Sequence, residues 1–588
     1  MWENKTRTPN FELSPYVSVK NTVSYAGYES IVEQLKKSIA TGRKTVVVFD
    51  YYHGVDEKKL YDELISKLDA DLWVDTDEAK LPESVIESKF HEFITDDRVN
   101  GVMCTCKIEE FFDEEKIAEL RSRIERAEGL VVVYGVAATV ICNGDILVLA
   151  HVGVQEIKYR YAHGLDNWGA GNYKEENLRK DKRYTFLEGR VQEWHRRPLL
   201  ERMDYIIDDF NVDRPVMICK RTFDRITEDL VSRPFQTVPF FNPGVWGGHW
   251  CQQVLGAGRD LVNTAWGITG MIDWQDIQVN VGGNIFRVRG KDLEYARPLE
   301  LLGGQVFFLY GYRCPVTMDF LDTMEGQNLS LQCHPTVSYC QEVFNAPTGH
   351  YESYYMMDTS ETSSVYLGVK NGTKLDELVE AFEEGQRTGK FDDTKWINNW
   401  PMKKHDHIFI PSGTIHASGK NTVVLELNSV GYTTFKLWDW DRVDLDGKPR
   451  PIDIGHGAKN IQVRYDTDFT RDKLISKKRE IARGDGWRKE HSGTMEYEPL
   501  HVERYWFSKA LHFESNETVK LLCLVEGEEA IIESPNRSFE PFVIHYAECT
   551  YIPSNVGQFY VKPYGKSEGQ EIALVECYQD LGSQQYKG

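Results

Sequence analysis

Apolar and polar positions fall into two textures along the chain, and the change between them lies near residue 235. In the first part, segments with helical spacing alternate with continuous apolar runs. Glu29 to Ile39 is helical in spacing, and Lys44-Thr45-Val46-Val47-Val48-Phe49-Asp50 is a β-branched run of the kind buried on both faces of a parallel sheet. A turn at His53-Gly54-Val55-Asp56 leads into a helix from Glu57 to Leu68. The same order recurs as a helix from Glu114 to Arg126 and a strand from Leu130 to Tyr134, which predicts repeated βα units. Asp181 to Asp209 is charged and mostly helical, with Arg183, Arg190, Arg196, Arg197 and Arg202 prominent.

After Arg233-Pro234, short alternating strands, Gly and Pro turns and many aromatics predict an all-β barrel or sandwich. One helical insertion, Leu375 to Gln386, interrupts it with Leu375, Leu378, Val379 and Phe382 at i, i+3, i+4 and i+7. Asp466 to Arg483 reads as a charged, partly helical connector to a final β unit from about 490 to 580. Within the β region, Ile408-Phe409-Ile410-Pro411-Ser412-Gly413-Thr414-Ile415-His416 lines up with Thr550-Tyr551-Ile552-Pro553-Ser554-Asn555-Val556-Gly557-Gln558. Both copies read strand, Pro turn, strand, so two related β-barrels are predicted, and a metal, if bound, belongs to the first.

Length and charge narrow the function. At 588 residues the chain holds several domains, and 69 Lys plus Arg against 91 Asp plus Glu give a net charge of −22, which excludes a general phosphate-backbone binder. No run approaches the roughly 18 apolar residues of a membrane span, and the start Met1-Trp2-Glu3-Asn4-Lys5-Thr6-Arg7 lacks the apolar run of a signal peptide, so a cytoplasmic protein is expected. The eleven cysteines are dispersed and form no paired C-x₂-C, which argues against a disulfide framework or a thiolate zinc site. Cys104 and Cys106 read as small hydrophobes on a strand.

The α/β region resembles a P-loop kinase domain of the uridine-kinase sort in element order and in its Arg-rich helix. The loop after Asp50 has one glycine and no G-K-[ST], and Gly42-Arg43-Lys44-Thr45 precedes the strand instead of following it. The phosphate cradle is therefore missing, and a non-catalytic domain is expected.

The chemistry concentrates further on. Leu329-Ser330-Leu331-Gln332-Cys333-His334-Pro335 sets Gln332 and His334 two apart, so on a strand both side chains leave one face. Glu352 in Tyr351-Glu352-Ser353-Tyr354-Tyr355 and His416 in Gly413-Thr414-Ile415-His416-Ala417 can point into that face. Two imidazoles, a carboxylate and an amide oxygen suit one zinc ion, with manganese, iron or cobalt as substitutes, and leave room for water or substrate.

These strings, with Asn242-Pro243-Gly244-Val245-Trp246-Gly247-Gly248, Ile410 to Ala417 and Trp438-Asp439-Trp440-Asp441-Arg442, resemble the type I mannose-6-phosphate isomerases of the cupin superfamily over about residues 235–588. Beside the α/β domain read from the pattern over 1–235, the resemblance implies a metal-binding cupin with a helical insertion over 236–485 and a C-terminal cupin without metal over 486–588. It carries the zinc ligands over to Gln332, His334, Glu352 and His416. It also implies interconversion of mannose 6-phosphate and fructose 6-phosphate through a cis-enediol(ate), with a small sugar phosphate as the partner and neither nucleic acid nor membrane. Lys436 stands where the family has an active-site Arg, as the residue stabilising the enediolate or binding phosphate.

Departures accompany the match. Asp319 and His350 stand where the family has Lys, and with Lys436 three cationic positions are altered. A Lys point charge does not replace a bidentate Arg fork, and an Asp repels a phosphate dianion. If the phosphate is kept, Arg442, Lys436 and His350 are its nearest partners. If it is abandoned, Asp319 accepts sugar hydroxyls and the substrate is an unphosphorylated aldose. A non-catalytic sugar-binding or regulatory cupin is the other alternative. His405 and His407 read as rim histidines on one face.

Overall fold

A computed structural model describes residues 3–39, 42–429, 431, 433–493 and 500–579. Met1 and Trp2, part of the start read for a signal peptide, lie outside them. The chain divides into two compact units, one of Tyr16–Asp229 with Trp274–Arg297, the other of Met1–Pro15, Leu230–Asp273 and Pro298–Gly588. The break at 229/230 is close to the change of texture at 235. The return of Trp274–Arg297 to the first unit has no counterpart in the sequence reading.

In the α/β unit the β-branched runs form the centre of a seven-stranded sheet, in the order Tyr25–Ala26, Val216–Cys219, Tyr205–Asp208, Ile146–His151, Thr45–Tyr51, Leu130–Val136, Leu72–Asp75. Five strands are parallel, and Val216–Cys219 and Tyr25–Ala26 add an antiparallel edge. The helices Tyr28–Ser38 and Glu114–Arg126 match the spacing of their apolar residues. The predicted helix after Asp56 is α-helical only over Glu57–Glu63, and a 3₁₀ turn, Ile65–Leu68, completes it.

The loop where a phosphate cradle would sit is filled by the chain's own groups. His53 N–H donates to Gln192 Oε1 at 2.7 Å, Asp56 N–H to Asp209 Oδ2 at 2.8 Å, and Lys59 N–H to Asp56 Oδ1 at 2.9 Å. Cys104 is buried and Cys106 half-buried, but residues 101–107 form no strand. The N–H groups of Val102 and Cys104 go to the carbonyls of Phe93 and Phe186, so local alternation misled.

The returning segment is tied in on two sides. Its strand Asp276–Val281 pairs in parallel with Tyr16–Val19, and Asp292 receives Arg196 through Nε at 3.0 Å and Nη2 at 2.9 Å. Both side chains are buried, so each charge depends on the other.

The second unit contains two pairs of antiparallel sheets. In the first pair, a six-stranded sheet (His407–Ile410, Glu352–Thr359, Thr422–Asn428, Thr317–Asp322, Trp266–Gly270, Phe240–Asn242) faces a five-stranded one (Ile397–Pro401, Ser364–Val369, His416–Ser418, Leu331–Cys333, Phe435–Trp438). Tyr354, Met356, Val424, Leu331, Phe435 and Leu437 belong to the core they share. The helical insertion forms as Leu375–Thr388 and buries Leu378 and Phe382.

The second pair has a six-stranded sheet (Arg479–Gly484, Trp487–His491, His501–Phe507, Ile572–Tyr578, Lys520–Glu526, Cys549–Ile552) and a four-stranded one (Leu511–Glu514, Gln558–Pro563, Glu529–Glu533, Phe542–His545). Tyr505, Phe513, Leu522, Leu524, Phe559 and Leu574 lie in its core. Its first strand begins at Arg479, inside the segment read as a connector, where exposed polar residues gave no strand signal. Both aligned copies do form strand, Pro turn, strand.

Candidate metal centre

Strand pairing assembles the site. Gln332 lies opposite His416 on one side and Lys436 on the other, which puts all three in one cross-strand row. Glu352 comes from the facing sheet, opposite Asn428 and Ile410. The structure thereby brings together the four side chains singled out for a metal. His334 Nε2 is 2.8 Å from Glu352 Oε1 and 3.2 Å from His416 Nε2, and His416 Nε2 is 3.1 Å from Glu352 Oε2. The Gln332 amide end is 3.3 Å from His416 Nε2.

The far sides of the imidazoles explain this crowding. Nδ1 of His334 is 3.1 Å from the Thr433 carbonyl, and Nδ1 of His416 is 2.9 Å from the Thr414 carbonyl. A carbonyl only accepts, so each Nδ1 carries the proton and each Nε2 presents a lone pair inward. Two lone pairs and a carboxylate then converge with no proton between them. Glu352 Oε2 and both ring nitrogens of His350 lack a hydrogen-bond partner among the described residues. Buried acceptors packed this closely repel unless a cation lies among them. The donor set fits a divalent ion, and His334, Glu352 and His416 are the cluster of possible ligands found among the described residues.

The chain is 34% identical over 155 residues to mannose-6-phosphate isomerase ManA of Bacillus subtilis, a match covering 26% of this chain and 45% of that protein. It is 27% identical over 213 residues to a mannose-6-phosphate isomerase of Streptococcus mutans, covering 36% and 62%. The chain resembles mannose-6-phosphate isomerases. It spans less than two thirds of the length of either relative. A crystal structure of the mannose 6-phosphate isomerase from Bacillus subtilis aligns with 58% of this chain and 99% of its own, at 19% identity and a TM-score of 0.48. Residues 27–232 match a different family model, described as a domain of unknown function (DUF8485).

The positions that depart from the isomerase pattern surround this centre. His350 is buried with Nε2 3.2 Å from Glu352 Oε1 and its ring 4.0 Å from that of His334. Burial, aided by the neighbouring imidazole of His334, pushes it down to about 3, so it stays neutral. Asp319 is buried opposite Glu426 and 3.3 Å from the Asn428 amide, which also reaches Glu426 at 2.6 Å. Burial and the charge of Glu352 raise Asp319 well above the carboxylate range, and burial with Glu352 and Asp319 does the same to Glu426.

Sequence reasoning missed Glu426 and Asn428. Val423, Val424, Leu425 and Leu427 of the strand Thr422–Asn428 are apolar and buried, and Glu426 and Asn428 at alternate positions among them were the available signal.

The basic candidates separate. Lys436 is lowered by burial and by the nearby Arg450. Arg442 is engaged elsewhere: Nη1 donates to the Asn328 carbonyl at 2.7 Å and Nη2 to Asp439 Oδ1 at 2.7 Å. Arg450, also missed, reaches Asp439 Oδ2 at 3.1 Å and Ser330 Oγ at 2.9 Å. His405 and His407 are not rim residues. His407 is fully buried with Nδ1 2.6 Å from the Ser492 carbonyl, and His405 bridges Tyr355 and Glu526 at 2.7 and 2.9 Å. Among the described residues no helix is long and apolar enough to cross a membrane.

Proposed function

We propose that the chain is a zinc-dependent aldose–ketose isomerase interconverting mannose 6-phosphate and fructose 6-phosphate through a cis-enediol(ate). The observation that supports it best is the inward convergence of two Nε2 lone pairs and a buried carboxylate beside an amide, in one cross-strand row with a lysine. Gln332, His334, Glu352 and His416 would hold the ion, with manganese, iron or cobalt as substitutes. When bound, the ion supplies Lewis-acid charge against the oxygens on C1 and C2.

The chain's own groups do the rest. Lys436 stabilises negative charge developing on the substrate at the open side of the row. Beside the ligands, burial and the charge of Glu352 push Asp319 and Glu426 towards the protonated form, from which either can give a proton to an oxygen. Lys436 would be the cation that meets a phosphate, since Arg450, like Arg442, is committed to Asp439. The α/β unit accompanies the reaction without taking part, since the N–H groups of His53 and Asp56 in its first loop are already bonded within the unit.

A specific observation favours a second reading. Asp319, Glu426 and Asn428 form a buried hydroxyl-accepting patch where the resemblance implies a Lys, which suits an unphosphorylated aldose. The deciding experiment couples ketose 6-phosphate formation to a dehydrogenase, with and without chelator, and compares kcat/KM for mannose and mannose 6-phosphate. Chelator-sensitive turnover with a preference above about tenfold for the phosphorylated sugar supports the first reading; a smaller preference selects the second. Metal-independent turnover, or none with either sugar, rejects both.

A further inference from the structure

The second pair of sheets also ends its core in a polar cluster. Glu503 and Glu576 are direct cross-strand partners, and Lys520 and Tyr578 pair on the next strand. Two carboxylates facing each other destabilise a sheet unless something compensates. Here the chain compensates internally. Lys520 Nζ is 2.8 Å from Glu576 Oε1, Lys489 Nζ is 2.5 Å from Glu503 Oε2, and the Tyr505 hydroxyl lies 3.0 Å from one oxygen of each glutamate. Glu503, Tyr505, Lys520 and Glu576 are all more than nine-tenths buried.

These groups line a cavity of about 210 Å³ that opens past the exposed His512 and Asn516. Tyr505 carries one hydroxyl proton, so it donates to one of the two glutamates at a time, and the other then relies on its lysine. Burial and the two carboxylates raise that hydroxyl far above its ordinary value, so the proton stays.

We propose that this cavity binds a small uncharged polyol, a single monosaccharide unit. Lys489 and Lys520 against Glu503, Glu576 and Glu514 leave no surplus positive charge for a phosphate. The ammonium groups retain unused donors and the carboxylates unused acceptors, an array that hydroxyls, which do both, complete. The rings of Tyr505 and Tyr578 supply apolar walls, with Lys489 and Lys520 over them at 5.0 and 4.6 Å. The volume lies below the roughly 300–1,000 Å³ of pockets for drug-sized ligands, the scale of one sugar ring rather than an oligosaccharide or a nucleotide.

The test uses the full chain carrying Glu352→Gln, so that metal-dependent turnover is removed and any sugar binding left at the first site is told apart by its indifference to the second-site variants. Titration calorimetry with mannose, glucose, fructose, inositol and mannose 6-phosphate should show one saturable site for at least one uncharged member, at least tenfold tighter than for the phosphate. Tyr505→Phe should weaken it at least tenfold, and His512→Ala, on the exposed rim, provides a variant that leaves the buried cluster intact and should weaken it severalfold. No saturable binding up to about 20 mM of any uncharged member, a preference for the phosphate, or binding indifferent to both variants overturns the proposal.

Discussion

The two pairs of sheets solve one problem in opposite ways. Each closes its apolar core with buried charge at one end, Glu352 in the first and Glu503 with Glu576 in the second. In the first, every converging group brings a lone pair, because the protons of His334 and His416 are committed to backbone carbonyls. In the second, Lys489 and Lys520 stand beside the carboxylates. One cluster calls for a cation from outside; the other carries its own. A repeated strand–turn–strand pattern therefore does not fix what a site does: the side chain at a few inward positions decides between metal chemistry and self-neutralised polarity.

The largest effect that tests this contrast is expected from Glu352→Gln. Losing one neighbour of a metal ligand usually costs about 10–100-fold, so losing a ligand itself should take activity below roughly a hundredth of wild type, with metal content falling in parallel by elemental analysis. Full occupancy in the variant would end the comparison. Next is Lys520→Met, which leaves Glu576 buried and unpaired and should cost about 3–5 kcal/mol in urea unfolding, while Lys520→Met with Glu576→Leu recovers most of it. A silent Lys520→Met would mean that the second cluster is not held by its own cation.

Chelation should lower the melting temperature of the wild type by the equivalent of about 2.7 kcal/mol at an ion concentration 100 times its dissociation constant, and leave that of Glu352→Gln unchanged. The smallest effect belongs to the edge of the metal centre. Lys436→Met should weaken phosphosugar binding by roughly ten- to a hundredfold, about 1.5–3 kcal/mol, in KM more than in kcat.

Legibility in the sequence followed the range of the interactions. Gln332 and His334 were readable because spacing of two on a strand is a local rule, and the long runs of the parallel sheet were readable for the same reason. Glu426 and Asn428 were not: only pairing with Thr317–Asp322 and Glu352–Thr359, some 70–110 residues earlier, brings them to the site. Arg450 joins Asp439 from beyond an irregular loop that carries no periodic signal. Trp274–Arg297 looked like more β region because its hairpin alternates as the neighbouring strands do, and the partner that claims it, Tyr16–Val19, is more than 250 residues away.

That returning segment sets a timetable for synthesis. The chain finishes the first stretch of the α/β unit at Asp229 but does not deliver Arg297 until 68 residues later (297 minus 229). At about 5–20 residues per second that is a delay of roughly 3–14 s. For most of it Tyr16–Val19 has no neighbour along its edge, until Asp276–Val281 is made, and Arg196 has no Asp292 to bind until 63 residues after Asp229 (292 minus 229). The emerging chain therefore passes through an obligatory interval with an unanswered charge and an open strand, a window in which a chaperone or a mispairing competes for the same surface.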